Sequence, residues 1–363
     1  MIAARVHRAF RSSDGHSGSH RKTARLARIG SILSAAAAAG MLGEVLRRYR
    51  RDLRRARARI ACDSRIAQTP LGPIEYSSAG EGPPVLVVHG AGGGFDQGLD
   101  LGRALAPKGF RVIAVSRFGY LRTPLPSDAT AESQADAHAA LLDAIGIRSA
   151  AVLGGSAGAP SSVQLALRHP DRVDALILGV PALYLFRRGR EATLRTPTGI
   201  RFLFDTALRS DFLFWASLRL AHRTLIRTIL GTPPEVVDGA SPAEQARVEE
   251  MLEHILPVTE RRLGLINDAA VTTHLERYPV ERLEIPTLVI GTADDLYGTY
   301  DAARFTSERV PNARFLSFPT GGHLWVGHHE EVTSAIAAFL AEAMGRQPSA
   351  PSPAVTEVLS STR

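Results

Sequence analysis

The segment Gly154-Gly155-Ser156-Ala157-Gly158 sets a hydroxyl among small residues, directly after the apolar run Ala150 to Leu153 and before a helix-like stretch from Ser161 to Arg168. A sharp strand-to-helix turn strains the backbone of its central residue, and only small neighbours clear the adjoining strand and helix. Such a turn lifts the Ser156 hydroxyl off the end of a sheet, at a helix N-terminus where free amides favour a developing oxyanion. The chemistry served is nucleophilic attack on a carbonyl carbon. A second glycine-rich segment, His89-Gly90-Ala91-Gly92-Gly93-Gly94, follows Val85 to Val88. Its glycines free the backbone to turn an amide toward a substrate oxygen, and the predicted donors are the amides of Ala91 and Ala157. A phosphate cradle is the competing reading, but the loop has neither the lysine of a GxxxxGK motif nor GxGxxG spacing into a helix. His89 is read as structural, packing beneath the loop, rather than as a base.

Buried parallel strands must hold these turns. The apolar runs Val85–Val88, Phe110–Val115, Ala150–Leu153, Val173–Leu178, Leu288–Ile290 and Arg314–Phe318 alternate with helix-like segments, the pattern of a parallel sheet with crossover helices. Residues 68–184 and 283–344 are assigned to this catalytic body. Residues 185–282 lack strand signals and read as several helices forming a cap. Within them Phe212-Leu213-Phe214-Trp215 and Leu218, Leu225, Ile226 and Ile229 read as packed cap helix, with an acyl pocket or lipid contact as the alternative. No repeat with a period of 20 to 50 residues is apparent.

Charge is distributed unevenly. Residues 1–65 hold 16 Lys/Arg against 4 Asp/Glu, while the remainder holds 27 against 32, so the body is mildly acidic although the whole chain carries +7. A polyanion-binding groove would need its basic residues on the body, which argues against nucleic acid as a partner. Residues 1–28 read as a basic leader without fixed structure, and residues 345–363, rich in Pro and Ser, as a disordered tail. Residues 29–46 contain no Lys or Arg and form a candidate membrane helix. A helix of that length spans roughly 27 Å against a bilayer core of about 30 Å. Its alanines and glycines drive insertion weakly, and a packed alanine helix or a cleaved targeting sequence are the alternatives. The arginines at 47, 48, 50, 51, 54, 55, 57 and 59, in an Arg-rich helix or linker over 47–67, favour a cytoplasmic position for the body, either membrane-associated through residues 29–59 or soluble. With a single cysteine, Cys62, no disulfide framework or cysteine-based zinc cluster can form, and neither metal nor cofactor is expected.

The strand and His-Gly-Ala-Gly-Gly loop, Ser116-Arg117-Phe118-Gly119-Tyr120, the Ser156 turn and His169-Pro170-Asp171-Arg172-Val173 together resemble the α/β-hydrolase superfamily over residues 68 to about 342. The resemblance implies a mostly parallel, doubly wound sheet with a helical cap, and nucleophile, acid and base in that chain order. Ser156 is then the nucleophile, Gly291-Thr292-Ala293-Asp294 supplies the acid, and Gly321-Gly322-His323 the base. Asp294 lies three residues past the glycine that ends its strand, the family's usual acid position, with Asp295 as the reserve. A serine hydroxyl needs an imidazole to take its proton, and the imidazole needs a carboxylate to fix its tautomer. His328 and His329 are read as surface residues at a helix start. Serine as nucleophile points to acyl chemistry: hydrolysis of a carboxylic ester, a small molecule or lipid, through an acyl-serine. The same triad could serve a C–C bond hydrolase, amidase or acyltransferase, and a non-catalytic binding protein on this fold is the reading from another class.

Overall fold

The computed structural model describes residues 17–187, 190–192, 208–273 and 275–345. The predicted tail beyond Gly345 and residues 1–16 of the predicted leader lie outside the described residues. From Ser17 the backbone is helical, and α1 runs unbroken from Ser17 to Ala61, without a proline along its length. The stretch read as unstructured over 17–28, the apolar segment 29–46 and all eight arginines from 47 to 59 therefore belong to one helix. The chain forms two compact units, 1–54 and 55–363, dividing within this helix. Among the described residues no helix is long and apolar enough to cross a membrane, so a span over 29–46 finds no support. The segment ends in charge rather than in lipid-compatible side chains: Glu44 accepts from Arg47 Nε at 2.7 Å and from Arg48 Nε at 2.5 Å, ion pairs at helical spacing.

The second unit is built on an eight-stranded sheet in the order β1-β2-β4-β3-β5-β6-β9-β10. Its strands are β1 (Arg65–Thr69), β2 (Gly72–Ala79), β3 (Pro84–Val88), β4 (Arg111–Val115), β5 (Ala150–Gly155), β6 (Val173–Gly179), β9 (Thr287–Thr292) and β10 (Ala313–Phe318). From β4 to β10 every pairing is parallel, with Val87 beside Leu153 and Leu153 beside Ile177 at the centre. Leu86, Val88, Ile113, Val152, Leu176 and Val289 pack into one core layer, and Val85, Val87, Leu153, Ile177 and Ile290 into the other. Both faces are covered, which is why these strands read as continuous apolar runs. All six predicted strands are present. The hairpin β1–β2 is an addition: it pairs antiparallel at the sheet edge, and in β1 only Ala67 is buried, so no alternation marked it.

The helices α2 (Phe95–Gly102), α3 (Ala131–Ala144), α4 (Ala159–Arg168), α10 (Thr299–Ser307) and α11 (His329–Ala343) belong to this sheet body. Between β6 and β9 the chain inserts α5 (Asp211–Leu220), α6 (His222–Ile229), α7 (Pro234–Asp238), α8 (Pro242–Glu253) and α9 (Arg262–Thr273). Ser210 and Ser241 cap α5 and α8, their hydroxyls accepting from the amides of Leu213 and Glu244. A short antiparallel hairpin, β7 (Leu185–Arg187) with β8 (Arg190–Ala192), opens the insertion, which the sequence read as helical throughout. Phe214, Trp215, Leu225 and Ile226 are buried, as expected of packed helices.

Candidate active site

Ser156 stands at the junction of β5 and α4 with φ of 49°, the left-handed region that a side chain enters only under constraint. The constraint is visible. The Ala182 amide donates to the Ser156 carbonyl at 3.0 Å, and the turn passes so close to β3 that a Cβ on Gly158 would lie 2.4 Å from the Val88 carbonyl oxygen. Ser156 to Gly158 form a single 3-10 turn, whose leading amides have no intrahelical acceptor.

The histidine loop follows β10. His323 is buried, and its Nδ1 lies 2.8 Å from Asp295 Oδ2. The carboxylate of Asp295, itself buried, also accepts from the Tyr297 amide through Oδ1 at 2.8 Å and from the Thr299 hydroxyl through Oδ2. Tyr297 meets the His323 ring edge-on at 4.9 Å, with its hydroxyl donating to the Ile229 carbonyl at 2.8 Å. Burial, then the nearby Asp295 charge, push the Tyr297 phenol above its ordinary pKa. Asp294, the acid expected from the sequence, does not reach His323. Its carboxylate accepts from the amides of Gly322 at 2.8 Å and Gly321 at 3.1 Å, binding the glycines that lead into the histidine. The turn after β9 directs one aspartate to the loop backbone and the next to the imidazole, so Asp295 replaces Asp294 as the carboxylate partner of His323.

His89 is fully buried beneath the glycine loop. Its Nδ1 donates to the Gly90 carbonyl at 2.7 Å and its Nε2 accepts from the Arg117 amide at 3.1 Å. A carbonyl only accepts and an amide only donates, so the ring is the neutral Nδ1–H tautomer. Burial, then the Arg117 charge, hold its pKa well below the usual imidazole value, in agreement. Arg117 is buried too. Its guanidinium pairs with both carboxylate oxygens of Asp268 at 2.6 and 2.7 Å and donates to the carbonyls of His89 at 2.9 Å and Gly90 at 3.1 Å. Burial opposes its charge, yet the Asp268 carboxylate keeps its pKa raised. The Tyr120 hydroxyl donates to Asp268 at 2.5 Å and accepts from the Gly92 amide at 3.1 Å. Across the loop, Arg261 donates to the Gly93 carbonyl and pairs with Asp96 at 2.7 Å. Burial would raise the Asp96 pKa, but Arg261 and Arg59 lower it.

Ser156, His323, Ala91 and Ala157 all line one cavity of about 470 Å³. Its remaining wall is largely apolar and includes Leu208, Ile229, Met251, Leu265 and Ile266 from the insertion. Thus Ser156, His323 and both residues expected to supply amide donors share one chamber. His328 stacks on Phe318, while His329 joins the cavity wall rather than lying at the surface as expected. Asp100, Glu250 and His254 bring ligand atoms within 4.8 Å of one another, but His254 Nδ1 is already hydrogen-bonded to Asp100. Two features escaped the sequence reading: Asp268, whose partner Arg117 is 151 positions away and leaves no local signal, and the buried Arg261–Asp96 pair.

The alpha/beta hydrolase fold family matches residues 83–327, from the start of β3 through the histidine loop. The chain belongs to the α/β-hydrolase family. Among curated relatives of this α/β hydrolase, a 2-hydroxy-6-oxononadienedioate/2-hydroxy-6-oxononatrienedioate hydrolase of Pseudomonas putida is 32% identical over 287 residues, covering 75% of this chain and 93% of that protein. A putative carbamate hydrolase of Caulobacter is 29% identical, covering 64% of this chain and 81% of that one. With an uncharacterized hydrolase of Bacillus subtilis the identity is 36%, but the match spans only 37% of that protein's length. The solved structure of an alpha/beta hydrolase fold protein from Nakamurella multipartita superposes with a TM-score of 0.66 at 30% identity, over 78% of this chain and all of that one.

Proposed function

We propose that this α/β hydrolase cleaves a carboxylic ester through an acyl-serine intermediate, with Ser156 as nucleophile, His323 as general base and Asp295 as the carboxylate that orients it. The observation carrying this reading is the 2.8 Å contact between His323 Nδ1 and Asp295, in the chamber that also holds Ser156 on its strained turn. Ser156 Oγ attacks the substrate carbonyl as His323 Nε2 takes its proton; charge gathers on the carbonyl oxygen, facing the amides of Ala91 and Ala157. The imidazolium, steadied by Asp295, returns the proton to the departing alkoxide as the C–O bond breaks. Water, deprotonated by the same histidine, then releases the acid and restores Ser156. No metal or organic cofactor takes part in this scheme. The apolar wall suits an uncharged acyl or alkyl group.

Turnover of p-nitrophenyl esters of graded chain length tests the proposal. Ser156→Ala should lower it about a million-fold if the three groups act as a unit; equal rates in both proteins would remove the reading. A second reading is favoured by the Pseudomonas putida relative, whose named substrate carries an oxo carbonyl and no ester. The same residues would then attack a ketone, and the bond broken would join two carbons. Ser156-dependent turnover of a 2-hydroxy-6-oxo dienoate with none of any ester would decide for it.

A further inference from the structure

The Gly90 carbonyl and the Ala91 amide belong to one peptide group. In a planar trans peptide the C=O and N–H bonds point in opposite directions, so whatever holds one end aims the other. Two buried donors hold the carbonyl end: His89 Nδ1 at 2.7 Å and Arg117 Nη2 at 3.1 Å. Gly90 itself lies against the nucleophile, since a Cβ built there would lie 3.2 Å from Ser156 Cβ. The Ala91 N–H is thereby turned away from the guanidinium, and Ala91 and Ser156 line the same cavity.

We infer that Arg117, held by Asp268 of the inserted helix α9, is a positioning residue for the reaction: it clamps the Gly90–Ala91 peptide so that the Ala91 amide faces the oxyanion. The inference rests on the acyl-serine reading. Arg117 does this with three separate groups. Nε takes the His89 carbonyl, Nη2 takes the Gly90 carbonyl, and the backbone amide of Arg117 fixes His89 as the tautomer that donates to that same carbonyl. The bidentate contact with Asp268 fixes the plane of the guanidinium. A positive charge on the carbonyl end also polarises the peptide, making its N–H a stronger donor. Tyr120 closes the arrangement by donating to Asp268 and accepting from Gly92, two residues beyond Gly90 in the loop.

The test compares Arg117→Lys with Asp268→Asn. Lysine keeps the charge beside Asp268, but a single ammonium cannot span the two carboxylate oxygens and both carbonyls. Asparagine leaves the guanidinium able to reach both carbonyls. R117K loosens the buried pair and D268N removes its counter-charge, so a purely structural role would make D268N the less stable and the slower of the two. Positioning predicts the reverse order of rates. The rate at which a fluorophosphonate labels Ser156 should fall between about ten-fold and a hundred-fold in R117K. In D268N it should fall several-fold less at matched thermal stability. A trifluoromethyl ketone, which forms a tetrahedral oxyanion on Ser156, should lose affinity in parallel with the labelling rate. If R117K does not fold, His89→Gln serves instead: its amide oxygen can accept from the Arg117 amide where Nε2 did, but the donor to the Gly90 carbonyl is lost, and labelling should again slow. Equal labelling rates in the unaltered protein and the folded variant would overturn the inference alone. No labelling of Ser156 in the unaltered protein would overturn the acyl-serine reading with it.

Discussion

Replacing Asp295 and Asp294 in turn by asparagine separates two neighbouring carboxylates with different tasks. Asp295 accepts three hydrogen bonds, from His323 Nδ1 and the Thr299 hydroxyl on one oxygen and from the Tyr297 amide on the other. Asparagine has one acceptor oxygen and one donor nitrogen. If the nitrogen takes the place of Oδ2 it opposes His323 Nδ1, and the imidazole is driven to the tautomer whose Nε2 carries the proton and cannot accept one from Ser156. If it takes the place of Oδ1, it opposes the Tyr297 amide. Loss of the correct tautomer costs about 10⁴ in kcat, equivalent to about 5.5 kcal/mol of barrier. Asp294 accepts only the amides of Gly321 and Gly322, and asparagine keeps one of those bonds. Leaving one amide unpaired costs about 1–3 kcal/mol of stability, so D294N should melt several degrees lower yet keep kcat within about ten-fold. Ester turnover at saturating substrate, alongside thermal melting, measures both. A collapse of kcat in D294N with near-native turnover in D295N would refute the assignment.

Two further outcomes follow from the packing. His138 is fully buried, 3.3 Å from the Ser161 hydroxyl, and burial lowers its pKa from 6.5 to about 3. The unfolded chain binds that proton as the pH falls below 6.5 and the folded chain only near 3, so the neutral ring's stabilisation is complete above 6.5 and is lost progressively between those values. His138→Gln should flatten the fall of urea stability between pH 6 and 4 by up to about 1.4 kcal/mol per pH unit; an unchanged slope would count against it. Gly158→Ala would drive a Cβ to 2.4 Å from a backbone oxygen. It should cost about 1–3 kcal/mol in urea unfolding and slow labelling of Ser156, and a neutral effect on both would contradict the close packing of the turn.

The parallel strands were legible in the sequence because burial on both faces leaves uninterrupted apolar runs, and the Ser156 turn because its strain demands small neighbours. The edge strand β1 was not legible, since its side chains are mostly exposed and its pairing depends on β2. Residue order alone could not choose between Asp294 and Asp295. The choice depends on how the chain turns after Thr292, where one carboxylate meets the glycine amides and the next meets the ring. Arg117 and Asp268 were illegible for another reason: each is an ordinary charged residue until the fold removes water from both.

Helix α9 presents Arg262, Leu265, Ile266, Asp268, Ala269, Thr272 and Thr273 to the chamber. Such a face would ordinarily be the natural ground for drift toward new substrates, since exchanging wall residues reshapes what fits while the reacting atoms stay put. Here one position on it carries a second contact. On the proposed clamp Asp268 joins the wall to Arg117, so mutational libraries aimed at altered selectivity can vary positions 266 and 269 without touching it, whereas those that randomise 268 would slow the reaction while reshaping the chamber.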